Sequence, residues 1–251
     1  MFKNNIKNAC LVIIGNEILT GRTQDKNINH IAKELFKVGI LLSYVCVIPD
    51  IQKIIIKEIR RLKKNYNYVI TTGGIGPTHD DITSECLAKA FNKKYEINKE
   101  AFNILEKYYP EGEFNESRQR MAKMPSDVQL IYNPMTAAPG FILNNVYVLP
   151  GVPKIMEVMF INVLKNIKKG KPKKVVTINT NLYESKLAPF LNEIQKKYNE
   201  CSIGSYPYFN FLSKTGGVNI SISSWTMNSL DDVEKEISEM IKLNGGNYSI
   251  V

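Results

Sequence analysis

Tyr68-Val69-Ile70-Thr71-Thr72-Gly73-Gly74-Ile75-Gly76-Pro77-Thr78-His79-Asp80-Asp81 decides the fold: a short β-favouring run breaks into three glycines within four positions and closes on two adjacent carboxylates. A helical pattern follows at once, with Ile82, Cys86, Leu87, Ala90 and Phe91 at helical spacing. Strand, glycine loop and helix in that order form a ligand site at a sheet edge. Glycine permits positive φ and lets backbone N–H groups approach an anion unobstructed. The helix N-terminus behind the loop favours a phosphate or pyrophosphate. Gly73, Gly74 and Gly76, with Pro77 and Thr78 beside them, are therefore candidate ligand-binding residues.

The adjacent acids sharpen this. A single aspartate here would be read as an N-cap. Two carboxylates beside a polyphosphate repel it unless a hard cation lies between, and Mg²⁺ is the usual bridge. Asp80 and Asp81 are thus candidate catalytic residues and ligands of Mg²⁺ or another divalent cation, one capping the helix and the other facing the metal. His79 is read as a neighbour of the ligand rather than a catalytic base, and His30 as an exposed helix residue.

Working toward the N-terminus, Ala9 to Ile14 is a continuous apolar run of the kind found in a strand buried on both faces. Asp25 to Val38 places Ile28, Ile31, Leu35 and Val38 on one helical face, with Asp25 as N-cap and Gly39 as the C′ residue. Ile40 to Ile48 predicts a second strand, and Ile51 to Lys64 a second helix with Ile55, Ile59 and Leu62 inward. Strand-helix-strand-helix-strand implies right-handed crossovers and a mainly parallel sheet covered on both faces. Ligands of such sheets sit beyond the carboxyl ends of the strands, where the loops at Gly15 and Gly73 both lie.

Composition sets the outer bounds. The chain has 251 residues, 44% of them hydrophobic, enough for a real core. No window approaches a membrane span, and Met1 to Asn5 has no apolar leader character, so a cytoplasmic protein without membrane partners is expected. Cys10, Cys46, Cys86 and Cys201 lie far apart in apolar runs and read as buried free thiols. The net charge of +9 is mostly lysine spread over helix faces, with no aromatic-and-arginine motif, so a nucleic-acid partner is not expected.

The Gly-Gly-Ile-Gly-Pro-Thr-His-Asp-Asp run at 73–81 resembles the loop of the MoaB/Mog molybdopterin-binding superfamily, and most closely the N-terminal domain of CinA-type proteins. Gly15-Asn16-Glu17-Ile18-Leu19-Thr20-Gly21, with Asn29 downstream, resembles the family's first block, although Asn16 stands where many members carry threonine or aspartate. The resemblance implies a catalytic or metal-supporting Glu17 and a ligand-facing Asn29. It also implies a phosphate-facing Arg118 on a helix from Asn115 to Lys123, which follows one from Asn98 to Tyr109. Thr136 falls in the Thr-Ala-Ala-Pro-Gly-Phe block at 136–141, and Gly151 and Pro153 in the family's Leu-Pro-Gly-Val-Pro signature at 149–153. These complete the implied ligand-binding set. Between them a hairpin is predicted to turn at Asn144-Asn145. Ile155 replaces the glutamate usual in the family, leaving Glu157 as its only nearby substitute.

Lysine density from Lys165 to Lys174 marks a linker between a MoaB/Mog-like domain at 1–168 and a second domain at 173–251. The latter resembles the CinA middle domain, and its alternation predicts a small α+β fold with an antiparallel sheet. Tyr206, Tyr208, Phe209 and Phe211 offer either an exposed interaction surface or core and hairpin packing, and the latter is the expectation. No counterpart of the deamidase domain of full-length CinA proteins, and none of its activity, is expected from these residues. The whole predicts an α/β/α domain that binds a nucleotide or pterin, followed by the smaller domain, assembled as a homo-oligomer of two or three copies. The leading functional expectation is metal-dependent hydrolysis of an ADP-ribose-like dinucleotide pyrophosphate. Adenylyl transfer to molybdopterin, and a non-catalytic pterin- or nucleotide-binding module, are the alternatives.

Overall fold

A computed structural model describes residues 6–212, 215–224 and 229–251; Met1 to Asn5, where the absence of a leader was read, lie outside them. The chain divides into two compact units, Met1–Gly170 and Lys171–Val251.

In the first unit the elements run β1 (Lys7–Ile14), α1 (Asn16–Leu19), α2 (Asn27–Lys37), β2 (Ile40–Ile48), α3 (Gln52–Asn65), β3 (Tyr68–Thr72) and α4 (Thr83–Phe91). There follow β4 (Tyr95–Ile97), α5 (Lys99–Tyr108), α6 (Glu116–Gln119), β5 (Lys123–Pro125), β6 (Gln129–Ile131), β7 (Gly140–Leu143), β8 (Val146–Leu149) and α7 (Pro153–Asn166). Six strands form one sheet in the order β2-β1-β3-β8-β7-β6. Neighbours from β2 to β8 pair in parallel, and the hairpin strands β7 and β6 pair antiparallel.

The apolar run of β1 shows why the sheet is covered twice. Its alternate residues Cys10, Val12 and Ile14 join one core with Ile55 and Ile59 of α3 and Leu87 of α4. Ala9, Leu11 and Ile13 join the other with Ile31 and Leu35 of α2 and Met156 and Phe160 of α7. Each fully buried leucine or isoleucine contributes about 1.5–3 kcal/mol, so both faces need their helices. The expected α/β/α layering and mainly parallel sheet are what the chain forms.

Local devices follow the sequence closely. Asp25 Oδ1 accepts from the Ile28 N–H at 2.8 Å, although the N-cap is Lys26, one residue after the expected Asp25, and Gly39 ends α2 at φ +74°. Asn144 turns the β7–β8 hairpin at φ +55°. Three further expectations need correction. The helix foreseen over 115–123 is only α6 plus a 3₁₀ turn at Arg120–Ala122, because Lys123–Pro125 pairs with β4 instead. His30 is half-buried, since α7 packs on α2 and brings Phe160 edge-on to its ring and Glu157 Oε1 to 3.9 Å from Nδ1. Cys46 is only partly buried. All four thiols are free, and burial pushes Cys10 up to about 12 and Cys86 up to about 11.

The second unit runs β9 (Lys174–Thr180), α8 (Glu184–Lys197), β10 (Cys201–Asn210), β11 (Thr215–Ser224), α9 (Leu230–Leu243) and β12 (Tyr248–Ile250). Its antiparallel sheet has the order β10-β11-β9-β12, the split β-α-β-β-α-β arrangement. Ile178, Val218, Ile220 and Ile222 of the sheet pack against Leu187 and Leu191 of α8 and Val233 and Ile237 of α9. The aromatic cluster is not core: Tyr206, Tyr208, Phe209 and Phe211 are all exposed, Tyr206 and Tyr208 on the sheet face that α8 and α9 leave open and Phe209 and Phe211 at the end of the hairpin. Among the described residues no helix is long and apolar enough to cross a membrane.

Candidate ligand site at the carboxyl edge of the sheet

Parallel pairing brings the carboxyl ends of β1, β2, β3 and β8 to one edge. The Gly15 N–H donates to Ile48 O at 3.2 Å and the Gly73 N–H to Leu149 O at 3.0 Å. Gly73, at φ +101°, lies so close to β1 that a Cβ would stand 2.1 Å from Ile14 O. Gly151 packs on it from the other side, its own Cβ position 3.4 Å from the Gly73 Cα. Gly74, at φ +68°, faces Thr83, the first residue of α4, whose hydroxyl would be 2.2 Å from an added Cβ. That hydroxyl donates to Gly73 O at 3.0 Å, and the Thr83 N–H donates to Gly74 O at 3.0 Å. The glycines are thus required first by the protein's own backbone and by Thr83. The open backbone surface they leave is a by-product of that packing.

Beyond the glycines the loop closes on itself. Asp81 Oδ2 accepts from the Thr78 N–H at 2.8 Å and from its hydroxyl at 2.6 Å, and stands 2.8 Å from where a Gly76 Cβ would be. Asp80 Oδ1 contacts the same hydroxyl. A hydroxyl has one proton and serves one carboxylate at a time, so Thr78, Asp80 and Asp81 form a tight set of oxygen donors. The Thr78 hydroxyl, then Asp80's own backbone amide, holds the Asp80 carboxyl below the usual carboxylate range. The N-cap of α4 is Ile82, so neither aspartate caps it; Asp81 brackets the loop instead.

A third acid joins this edge. Asp50, just past β2, accepts from the Asn16 N–H at 2.9 Å through Oδ2. Burial pushes its carboxyl up, and the charges of Glu17 and Asp80 push it further. Glu17, Asp50 and Asp80 therefore share one electrostatic neighbourhood, with the Glu17 carboxylate folded over Gly15, 2.5 Å from where its Cβ would be. Asp50 escapes notice in the sequence, although it follows Pro49 at the carboxyl end of a parallel strand. Because its folded-state pKa is raised, the ionised form is disfavoured: stability is fullest below the ordinary aspartate value and falls as pH rises through the raised one. Asp50→Asn is accordingly expected to melt above the parent protein at pH 7 and level with it near pH 3, by calorimetry across that range.

Among the described residues no group of three or more acidic, histidine or cysteine side chains is arranged to hold a metal ion alone. Mg²⁺ takes one or two carboxylates together with substrate phosphates and water, and the all-oxygen set of Thr78, Asp80 and Asp81 fits that demand.

Asn29 is exposed, whereas Asn27 is buried at the start of α2 and donates through Nδ2 to Gly151 O at 2.9 Å. The Asn27 Oδ1 is buried without a protein partner, as are the hydroxyls of Thr71 and Thr72 just before the glycines. The turn at Gly151 delivers Pro153 as the first residue of the 14-residue α7, which has no side-chain cap, so its early amides favour an anion. Arg118 is held elsewhere: its Nη1 donates to Glu113 O at 2.6 Å and Oε2 at 2.9 Å, and its guanidinium stacks 4.2 Å over Tyr109. Thr136 accepts from Asn133 Nδ2 at 2.6 Å within its own loop. The structure therefore brings Glu17, Gly73–Gly76, Thr78, Asp80, Asp81 and Gly151 to one edge, and ties Arg118 and Thr136 to local partners.

Fold and edge together define an open-sheet α/β/α ligand-binding domain. Residues 10–169 match the family described as probable molybdopterin binding domain, the MoaB/Mog type, and residues 172–245 match the FAD synthase middle domain. The chain belongs to the MoaB/Mog molybdopterin-binding family, in its CinA-like form. It is 34% identical over 231 residues to a protein of Archaeoglobus fulgidus, covering 92% of this chain and 96% of that one. To a protein of Sulfolobus acidocaldarius it is 38% identical over 202 residues, covering 76% of each. The crystal structure of CinA, of unknown function, from Thermoplasma acidophilum superposes with a TM-score of 0.62 at 34% identity, covering 66% of this chain and all of that one.

Proposed function

We propose that the protein is a metal-dependent nucleotide pyrophosphatase acting on an ADP-ribose-like dinucleotide. The observation that carries this is the shared field of Glu17, Asp50 and Asp80 beside the glycine cradle. Amides of the Gly73–Gly76 loop and of the first turn of α7 hold the phosphates. Asp80 and Asp81 would hold Mg²⁺, which when bound neutralises phosphate charge and polarises the phosphoryl oxygens. Asp50, whose Oδ2 accepts from the Asn16 N–H, takes a proton from the attacking water. Its raised proton affinity suits a general base, and Glu17 orients the water. The water oxygen bonds to phosphorus as the P–O–P bridge breaks, giving AMP and a ribose phosphate.

Supplying ADP-ribose, FAD, or ATP with molybdopterin, each with and without Mg²⁺, tests the proposal. AMP released from a dinucleotide only with Mg²⁺ is expected. An adenylylated pterin would establish transfer instead, and tight binding without turnover a binding module; either result ends the hydrolase proposal.

A further inference from the structure

The second unit has a cavity of its own, of about 290 Å³, with Tyr183, Glu184, Phe209 and Gly216 among the residues that line it. Phe209 projects from the sheet face that carries Ser205 and Glu184, whereas Tyr208, the next residue along the strand, projects from the opposite face. A Cβ at Gly216 would stand 3.0 Å from Phe209 Cδ2, so the glycine lets that ring lie against the strand. Phe211 meets the Phe209 ring edge-on, 5.1 Å between centroids. Despite this bracing the rings face water: Tyr183 is 71% exposed and Phe209 53%.

Glu184 is the charged group of this wall. Its Oε1 accepts from the Ser205 hydroxyl at 2.5 Å, which fixes the carboxylate and leaves Oε2 open. It takes part in none of the ion pairs formed among the described residues. Aromatic faces carry negative quadrupole charge and attract a cation placed over them. Beside a positioned, unneutralised carboxylate they repel anions, and a neutral apolar group would cover the carboxylate without pairing it. We propose that this cavity binds an organic cation, an alkylammonium or guanidinium head group. A free small molecule and a lysine or arginine side chain of a peptide both present that chemistry.

Calorimetric titration of the full chain tests this with choline and with its uncharged isostere 3,3-dimethylbutan-1-ol. Capped arginine and the pentapeptide Gly-Gly-Arg-Gly-Gly form the second arm. Choline or capped arginine is expected to bind at least tenfold more tightly than the isostere. Glu184→Gln, which keeps the Ser205 hydrogen bond, is expected to remove at least tenfold of that affinity without lowering the melting temperature. Phe209→Leu is expected to weaken it severalfold. A pentapeptide that binds more tightly than capped arginine identifies a protein side chain as the source; equal or weaker binding identifies a free molecule. Equal affinity for choline and the isostere overturns the proposal. So does unchanged affinity in Glu184→Gln, or the lack of saturable cation binding up to about 50 mM, above the millimolar range expected of such a cage.

Discussion

Gly73→Ala is expected to destabilise the first unit by about 3–5 kcal/mol, most of a small domain's margin. Two causes add. The residue sits at φ +101°, which an L side chain adopts only under strain, and its Cβ would lie 2.1 Å from Ile14 O. That carbonyl belongs to β1, between β2 and β3 in the sheet, and has no room to retreat. Gly112→Ala is the control: it also has positive φ, at +80°, but opens onto empty space, so only the conformational cost of about 1–2 kcal/mol applies. Urea unfolding of both variants decides the matter, since equal losses would mean that the close approach to β1 carries no cost.

Asp81→Asn is expected to lower Mg²⁺-dependent turnover at least about tenfold, equivalent to about 1.4 kcal/mol of barrier, while leaving the fold intact. The substitution separates two roles that share one oxygen. An asparagine oxygen still accepts from the Thr78 N–H, so the bracket at 2.8 Å survives, but the charge is gone. Thr78→Ala makes the reciprocal change, removing the shared hydroxyl while keeping both carboxylates. Full turnover in Asp81→Asn would leave Asp81 as a loop bracket alone and place any metal on Asp80.

Much of the architecture was legible because long strands and helices carry periodic burial. The run at 9–14 had to be covered on both faces, and the paired helices at 25–38 and 51–64 supplied the cover. The three-residue strands β4, β5, β6 and β12 are too short for a period to show, and their pairing is set by tertiary contacts. At the site, the glycine loop announced itself through composition, whereas Asp50 is a single acid whose importance arises from a neighbour 33 residues earlier and another 30 later. Asn29 and Asn27 lie two apart on one helix, about 200° around its axis, so only the placement of α7 and Gly151 decides which faces inward. The rings at 206–211 read as core and hairpin packing by the usual preference of aromatics; a sheet with helices on one face only leaves Tyr206 and Tyr208 on its open side, and Phe209 and Phe211 lie at the hairpin's end.

The trio of Glu17, Asp50 and Asp80 also bears on the order of arrival at this edge. A bare diphosphate drifting in would be turned back by like charge, while the same anion already chelated to a divalent ion would be drawn forward. Under the proposed chemistry, the chelate is the species that lands, and nucleotide stripped of its counter-ion acts as a poor competitor.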